Sequence, residues 1–229
     1  KNILIVGGTS GIGNALAASL GNSSNLFITG RENKNLSNIE HQFYHWDADT
    51  AFDPSFLTDE VHGIVYCPGT INLKPLSRLT EDDLLEDYKV NVIGAFKVIK
   101  AILPKLRKAK GSSVVLFSTV ASNTGMPYHA SIAAAKGGLQ SFGLSLAAEL
   151  ANAKVRVNVI APSLTNTPLA ESLLANEAKQ EASAARHPLN KVGSSAELAS
   201  MAKYLLSDDA GFITGQVFGV DGGIGSLKV

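Results

Sequence analysis

The sequence predicts an α/β protein in which a parallel sheet is covered by helices on both faces. Three observations support this fold class: short apolar runs alternate with longer helical patterns, most of these runs stop at Gly or Pro, and the first run leads through glycines into a helix. This alternation is typical of strand–helix–strand units with right-handed crossovers. Because the 229 residues contain no linker or repeat, we expect one domain, 1–229.

The expected strands are short and almost continuously apolar, which is the pattern of strands buried on both faces of a parallel sheet. Each is bounded by polar residues, Gly or Pro, which favour turns and loops. The seven expected strands are Ile3–Val6, Leu26–Thr29, Gln42–Trp46, Gly63–Cys67, Val114–Ser118, Val155–Ile160 and Gln216–Val220.

Helical patterns lie between these strands. Thr80–Asp83 resembles a capping box and predicts the start of a helix, which we expect Pro104 to end. Ser194 or Ser195 is the expected cap of the last helix. The expected helices are Gly13–Leu20, a helix from Thr80 to about Leu103, Ser131–Leu150 and Ser195–Leu206.

The charge balance argues against two classes of function. The chain has 20 Lys and Arg and 20 Asp and Glu, so it lacks the basic surplus that a nucleic-acid clamp or a polybasic membrane segment needs. Its single cysteine, Cys67, cannot form an intrachain disulfide, and no apolar run approaches the ~20 residues that cross a bilayer. We therefore expect a cytoplasmic protein that binds neither nucleic acid nor membrane, and we predict no metal site.

A glycine-rich loop, Gly7–Gly13, joins the first strand to the first helix. Glycines at such a junction allow a tight turn, let the backbone approach a pyrophosphate and let the helix pack on the strand. The free N–H groups at the helix start then face the phosphates. The loop predicts a dinucleotide site; the alternative is a tight turn without a ligand.

The spacing Gly7-x-x-x-Gly11-x-Gly13 resembles that of the short-chain dehydrogenase/reductase family. The resemblance covers nearly the whole chain and implies a Rossmann-type sheet of seven strands, with shortened crossovers between Arg31 and His62. It also implies a homodimer or homotetramer that pairs through the two long helices, although these helices could simply pack on the sheet. Further matching motifs are Asn91 within Lys89–Val92, Ser118–Ala121, Lys136, Pro162–Thr167, Ile213–Gln216 and Val220–Gly223.

The end of the second strand indicates which dinucleotide is bound. An acidic residue there bonds the ribose of NAD, whereas an arginine accommodates the 2′-phosphate of NADP. Arg31 follows Gly30 at this point, so we predict NADP(H) in preference to NAD(H). Two alternatives remain open: Arg31 could be a solvated surface charge, and the adjacent Glu32 could pair with it or repel the phosphate.

The remaining cofactor contacts are implied by the resemblance. Asp47 and Ala48 resemble the adenine-edge contact, although Asp47 could equally form a turn. Cys67 stands where the family usually has asparagine and is expected to be a small buried residue, while Ser163 replaces a family glycine. The full expected set is Gly7, Thr9, Ser10, Gly11, Ile12, Gly13, Arg31, Asp47, Ala48, Cys67, Pro68, Gly69, Asn91, Lys136, Pro162, Leu164, Thr165 and Thr167.

The resemblance also implies a catalytic tetrad, and one member is missing from this chain. In the family a serine polarises the carbonyl, a tyrosine protonates it, and a lysine four residues later lowers the pKa of that tyrosine, while an asparagine supports a water relay. Asn91 and Lys136 match, and Thr119 keeps a hydroxyl at the serine position. Ile132 occupies the tyrosine position and cannot donate a proton.

Tyr128 and His129 are the candidate replacements. If this stretch is helical, they lie about 6 Å and 4.5 Å along the axis from Ile132, and their side chains lean away from Lys136. If residues 125–130 form a loop, Tyr128 could fold into the site as acid or substrate contact. The alternative is that neither residue takes part in the chemistry: Tyr128 would be an aromatic side chain in the pocket wall, and His129 would be partly exposed to solvent.

The segment around 165–192 corresponds to the mobile substrate lid of the family. Leu169–His187 has helical spacing and could instead be a solvated amphipathic helix. His187 beside Pro188 could line the pocket, but a histidine in such a loop is more often at the surface.

Two functions fit these residues. The first is an NADP(H)-dependent oxidoreductase that transfers hydride between nicotinamide and a carbonyl or alcohol, with an altered tetrad. The second is a non-catalytic NADP(H)-binding sensor, scaffold or inactive partner subunit. Ile132 favours the second, whereas the retained Asn91, Thr119 and Lys136 favour the first.

Overall fold

Seven parallel strands form one sheet in the order β3-β2-β1-β4-β5-β6-β9 in this computed structural model, which describes residues 1–228. The strand order reverses between β1 and β4, which creates the crevice where α/β sheets bind ligands. A separate two-stranded sheet pairs β7 with β8. The strands are β1 (Asn2–Val6), β2 (Asn25–Gly30), β3 (Gln42–His45), β4 (Gly63–Tyr66), β5 (Ser113–Phe117), β6 (Arg156–Pro162), β7 (Thr165–Asn166), β8 (Gly193–Ser194) and β9 (Val217–Val220).

Helices cover both faces of the large sheet. Shorter 3₁₀ turns span Gly21–Ser23, Leu76–Arg78, Val120–Ser122, Ala151–Ala153, Pro168–Leu173 and Asp208–Ala210, and one π turn spans Lys89–Ile93. The α-helices are α1 (Gly11–Leu20), α2 (Glu81–Tyr88), α3 (Gly94–Lys108), α4 (Ala130–Leu150), α5 (Glu177–Ala184) and α6 (Ser195–Leu206). The expected seven-stranded α/β fold is confirmed.

The alternation of side chains along the strands divides the core into two layers. Ile3 and Ile5 of β1 pack towards the side covered by α1 and α6, whereas Leu4 and Val6 pack towards α3 and α4. All four side chains are almost completely buried, as continuous apolar strands of a parallel sheet require. Among residues 1–228, no helix is long and apolar enough to span a membrane.

The expectation that Pro104 ends a helix is wrong, because α3 continues to Lys108 with Pro104 inside it. A proline lacks the N–H that would bond four residues back, so it costs this helix one hydrogen bond. The last turn is held by tertiary contacts: Leu106 is fully buried, and the carbonyl of Lys105 accepts a hydrogen bond from the Val61 N–H.

No helix lies between β2 and β4. The two crossovers around β3 are loops whose aromatic side chains cover the sheet instead. Tyr44 stacks on Phe56 with ring centroids 4.3 Å apart, and Trp46 meets Phe52 edge-on at 5.7 Å. This cluster buries the face that a crossover helix would otherwise protect.

Candidate functional site

A groove of about 660 Å³ and a cavity of about 300 Å³ adjoin at the carboxyl ends of the central strands. The groove follows the glycine loop and the ends of β2 and β3, and the cavity lies under the segment 165–192. The residues that line both spaces are Ile12, Cys67, Gly69, Thr70, Thr167 and Leu169. One elongated ligand could therefore occupy both.

The glycine loop brings the backbone as close as a dinucleotide loop requires. A Cβ added to Gly13 would lie 2.4 Å from the Gly7 carbonyl oxygen, so only glycine allows α1 to start this close to β1. Gly7 itself has a φ of +74°, in the left-handed region. Ser10 caps α1 without a side-chain hydrogen bond, and the first turn contains no acidic residue. The positive end of the helix is therefore open to an anion.

Arg31 and Asp47 lie at the opposite end of the groove from the cavity residues. Glu32 forms an ion pair with Lys34 at 2.7 Å, and this hydrogen bond lowers the pKa of Glu32. Arg31 is exposed and forms no ion pair within residues 1–228. Asp47 lines the groove and also accepts a hydrogen bond from the Asp49 N–H at 3.2 Å, so the turn interpretation and the ligand interpretation are compatible.

Lys136 is buried where the groove and the cavity meet. Its Nζ donates to the Phe117 carbonyl at 2.7 Å. Burial lowers the pKa of Lys136 to about 8, an effect that Cys67 and Asp87 partly oppose. A Cβ added to Gly69 would lie 3.2 Å from Lys136 Nζ, so the missing side chain of Gly69 is what leaves the ammonium accessible.

Asn91 lies within the π turn and is completely buried. Its Nδ2 donates to the Asp87 carbonyl at 2.7 Å and to Thr70 Oγ1 at 3.1 Å. Its Oδ1 has no partner and would be 3.3 Å from a Cβ on Gly69. Asn91 lines neither the groove nor the cavity.

Asp87 is a buried carboxylate that the sequence analysis did not single out. The hydroxyls of Thr70 and Ser131 both donate to it. The residue lies four positions before Asn91 on the same helical face, which is the one sequence signal that could have identified it. This network connects α2, α4 and the loop after β4, and the charge of Asp87 acts on Lys136.

Thr119 and Ile132 both line the cavity, as the motif spacing predicts. Ile132 is buried and apolar, so it offers no proton at the position of the expected phenol. Thr119 Oγ1 accepts a hydrogen bond from the Ala121 N–H at 3.3 Å and keeps its own proton for another acceptor. The neighbouring Ser118 instead donates to the Lys136 carbonyl at 3.0 Å, which leaves Thr119 as the hydroxyl with a free donor.

The structure does not bring Tyr128 to the cavity. The residues before α4 form a loop in which Tyr128 has a φ of +68° and a side chain that is 60% exposed. Its carbonyl accepts a hydrogen bond from the Lys74 N–H at 3.1 Å, which holds this backbone in place. His129 does line the cavity, with its Nδ1 2.7 Å from the Pro127 carbonyl.

Cys67 lines both spaces, and burial raises the pKa of its thiol to about 12. The thiol therefore stays protonated at neutral pH, which argues against a nucleophilic role. Among residues 1–228, no group of three or more His, Cys, Asp or Glu side chains is arranged to hold a metal ion.

The segment that follows β6 folds so that its two ends lie side by side, because β7 at one end pairs with β8 at the other. Between these strands lie the 3₁₀ turn Pro168–Leu173 and helix α5, in place of one continuous helical stretch. His187 is only 5% exposed and lines the cavity, so it is not at the surface. Its Nε2 lies 2.8 Å from Ser163 Oγ, a contact that sequence spacing could not reveal.

Of the sequence-predicted site residues, all but Asn91 and Tyr128 line the groove or the cavity. Those that do are Gly7, Thr9, Ser10, Gly11, Ile12, Gly13, Arg31, Asp47, Ala48, Cys67, Pro68, Gly69, Thr119, Lys136, Pro162, Leu164, Thr165 and Thr167.

Comparisons with known proteins show which family and which fold the chain matches. Residues 53–225 match the family described as Enoyl-(Acyl carrier protein) reductase. The chain is 30% identical over 234 residues to the 3-oxoacyl-(acyl-carrier-protein) reductase MabA of Mycobacterium tuberculosis, covering 98% of this chain and 93% of that protein. It is 36% identical over 149 residues to the corresponding reductase FabG of Thermotoga maritima, covering 65% of this chain and 60% of that protein. Among solved structures, an actinorhodin polyketide ketoreductase variant with NADPH has a TM-score of 0.91 at 24% identity, with 99% of this chain and 98% of that chain covered.

Proposed function

The chain belongs to the short-chain dehydrogenase/reductase family, and on this premise we propose that it is an NADP(H)-dependent oxidoreductase with an altered catalytic tetrad. Its substrate is a small-molecule carbonyl or alcohol. The observation that carries the proposal is the junction at Lys136, where a groove suited to a dinucleotide opens into a mostly apolar cavity.

The groove has the features that NADP(H) requires. The open start of α1 suits the pyrophosphate, and Gly69 leaves space beside Lys136 that a side chain would fill. Lys136 reaches the ribose hydroxyls in this proposal, and Thr167 binds the carboxamide or the pyrophosphate. When bound, NADPH supplies hydride from its nicotinamide ring.

The preference for NADP(H) rests on Arg31. Because Glu32 is held by Lys34, it does not neutralise Arg31, and the guanidinium is available to a 2′-phosphate. An arginine bonds phosphate oxygens in a charge-assisted manner, so its removal should affect NADPH far more than NADH.

In this proposal Thr119 polarises the substrate oxygen with the free proton of its hydroxyl. Lys136 has a lowered pKa and, when charged, adds a positive field at the oxygen on which negative charge develops. The segment 165–192 acts as a lid that excludes water, since its residues Leu169, Ala170 and Leu173 form an apolar wall.

A second function is favoured by one observation: Ile132 places an apolar side chain at the tyrosine position, and Tyr128 is turned away. A protein that binds NADP(H) without turnover would tolerate both. Such a protein could be a sensor, a scaffold or an inactive partner subunit.

Binding and turnover measurements separate these functions. Dissociation constants for NADPH and NADH should favour NADPH, and Arg31→Ala should weaken NADPH binding about tenfold while leaving NADH unchanged. The matched control is Arg78→Ala, an exposed arginine away from the groove. Tighter binding of NADH by the unmodified protein would refute the preference.

A panel of ketones and aldehydes with NADPH then tests catalysis. Turnover by the unmodified protein supports the oxidoreductase. Activity that appears only after Ile132→Tyr, with none in the parent, supports the non-catalytic function.

We also propose a cytoplasmic homodimer or homotetramer. The helices α2, α3 and α4 expose apolar side chains that a partner copy would cover, and Phe96 and Phe142 meet at 6.5 Å on this surface. The exposed apolar residues on these helices and the π turn between them are Leu84, Leu85, Tyr88, Ile93, Phe96 and Leu144. The single cysteine supports a reducing compartment.

A further inference from the structure

Ser163 and His187 form a hydrogen-bonded pair in the cavity wall. His187 Nδ1 lies 2.8 Å from the Ser183 carbonyl, and Nε2 lies 2.8 Å from Ser163 Oγ. A carbonyl oxygen can only accept, so the ring carries a proton on Nδ1. Nε2 therefore faces the serine hydroxyl, in the arrangement of an oriented base next to a hydroxyl.

This pair shares its cavity with the altered tetrad. Thr119, Ile132 and Lys136 line the same space of about 300 Å³. Ser163 follows directly on β6, and the neighbouring strand β5 ends two residues before Thr119. A proton donor is missing at Ile132, and a hydroxyl backed by an imidazole lines another part of the same wall.

We propose that Ser163 is the catalytic proton donor of this protein and that His187 supplies it with protons, in place of the phenol absent at Ile132. This inference rests on the proposed oxidoreductase function. It requires a carbonyl substrate whose oxygen lies within hydrogen-bond distance of Ser163 Oγ.

The proton transfer balances as follows. A carbonyl that accepts hydride at carbon receives two electrons from the dihydronicotinamide and becomes an alkoxide. The alkoxide oxygen takes the proton of Ser163 Oγ, and the O–H bond of the product forms. Ser163 Oγ takes the proton of the His187 imidazolium as the Nε2–H bond breaks, which leaves a neutral ring still bonded to Ser183 through Nδ1. A proton taken up from solvent (hydronium becoming water) restores Nε2–H after the product leaves, so each reduction consumes one solvent proton. Alcohol oxidation runs the same steps in reverse and releases that proton.

A purely structural role for the pair makes a different prediction. His187 packs against Gly222, where an added Cβ would lie 3.3 Å from two atoms of the histidine, so the ring also attaches the lid to the turn after β9. If attachment were its only role, loss of the serine hydroxyl would change substrate affinity or stability. It would not change how kcat depends on pH.

The pH dependence has to be separated from other groups near His187. The cavity also contains Cys67, His129, Lys136 and Arg186, and the turn at Gly222 contains Asp221. Lys136 titrates near pH 8 and should contribute the same alkaline limb to every variant that keeps it. The contribution of His187 is the part that disappears on its replacement.

The experiment compares variants of the full chain with NADPH and a ketone that the unmodified protein reduces. Ser163→Ala should lower kcat at least about 100-fold, the usual scale of general acid catalysis, with the Kd of NADPH unchanged. Ser163→Thr restores a hydroxyl and should recover part of the loss. Ser200→Ala, an exposed serine on α6, is the control and should retain full activity.

His187→Gln adds a second kinetic readout. The mechanism uses a proton of the His187 imidazolium, so ketone reduction by the unmodified protein should fall as pH rises. The glutamine variant should be slow and should keep only the pH dependence that Lys136 contributes. A His187→Gln profile identical in shape to the parent profile overturns the role of the histidine.

A measurement without cofactor or substrate tests the geometry directly. In ¹⁵N-labelled protein, the signal that disappears in His187→Gln should report a proton on Nδ1, and Ser163→Ala should shift its Nε2 resonance. A ring that carries no proton on Nδ1 overturns the proposal even if the enzyme is active.

The outcomes distinguish this inference from the proposed function. If NADPH binds but no carbonyl is reduced, the oxidoreductase assignment fails and this inference fails with it. If ketones are reduced and Ser163→Ala stays within about threefold of the parent, the oxidoreductase stands and only this inference fails. Loss of kcat in His129→Gln or Tyr128→Phe, with Ser163→Ala unaffected, assigns the proton to those residues instead.

Discussion

Replacement of Lys136 by methionine should change the way that stability depends on pH. Methionine has a similar length and no charge, so Lys136→Met removes the buried ammonium with little change in packing. Burial lowers the pKa of Lys136 from an ordinary 10.5 to about 8. At about 1.4 kcal/mol for each tenfold change in proton affinity, this burial destabilises the folded state by about 3 kcal/mol at pH 7.

The direction of the effect follows from the proton balance. Between pH 8 and 10.5 the unfolded chain holds a proton on this lysine that the folded protein has released. The free energy of unfolding therefore rises with pH across this window, and the penalty is fully present below pH 8. The variant lacks this contribution.

The assay is urea unfolding of the cofactor-free protein at pH 7 and pH 10 for the parent and Lys136→Met. The difference in unfolding free energy, parent minus variant, should rise by about 2–3 kcal/mol between these values. At pH 7 the variant loses the hydrogen bond to the Phe117 carbonyl, which costs about 1–3 kcal/mol and offsets most of its gain. For this reason the pH dependence, and not the stability at one pH, carries the test.

Lys108→Met is the control, because it removes an exposed lysine whose pKa is raised and not lowered. The hydrogen bond to Asp59 raises the pKa of Lys108 above its ordinary 10.5, so the contribution of this lysine is fully present below pH 10.5 and is lost only as pH rises beyond it. The parent-minus-variant difference for Lys108 should therefore stay flat between pH 7 and 10. A parent-minus-variant difference for Lys136 that stays flat between pH 7 and 10 would refute a buried, charged lysine at this site.

Three further predictions concern the loop, a helix cap and the exposed helices. Gly13→Ala should abolish NADPH binding because its Cβ would meet the Gly7 oxygen at 2.4 Å, whereas Gly125→Ala, with no atom within 4 Å, should bind normally in the same fluorescence titration. Thr80→Ala removes a complete capping box and should cost about 1 kcal/mol in chemical unfolding, and an unchanged midpoint would contradict the cap. Phe96→Asp should shift the oligomer to monomer in sedimentation velocity if this face is the interface; an unchanged sedimentation coefficient would exclude it.

Much of the fold follows from patterns that are local in the chain. Each of the seven strands lies within one or two residues of its expected position. For the central strands the reason is that a strand buried on both faces needs a continuous apolar run. Of the two expected caps of the last helix, Ser194 and Ser195, the structure selects Ser194, which forms a complete capping box with Glu197. Pro104 was misjudged because the tertiary contacts of Leu106 outweigh a single lost backbone hydrogen bond.

The residues of the candidate site also fall into those that the sequence identifies and those that only the tertiary structure reveals. The glycine loop and Lys136 are recognisable from spacing, because each depends on neighbours a few positions away or on the ends of adjacent strands. Asp87 carries no such signal. A carboxylate on a helix rich in charged residues is expected to face solvent, and only its contacts with Thr70 and Ser131 show that it is buried.

The sequence by itself therefore determined the sheet, the dinucleotide groove and the absence of a phenol at Ile132, since these depend on residue identity and short spacing. Only the tertiary structure decided what surrounds that position. It turned Tyr128 outward and brought Ser163 to His187, 24 residues away, because the β7–β8 pairing folds the segment between these strands back towards the end of β6. The chain separation between such partners is not encoded in any periodic pattern, and the hydrogen bond exists only once both segments are packed.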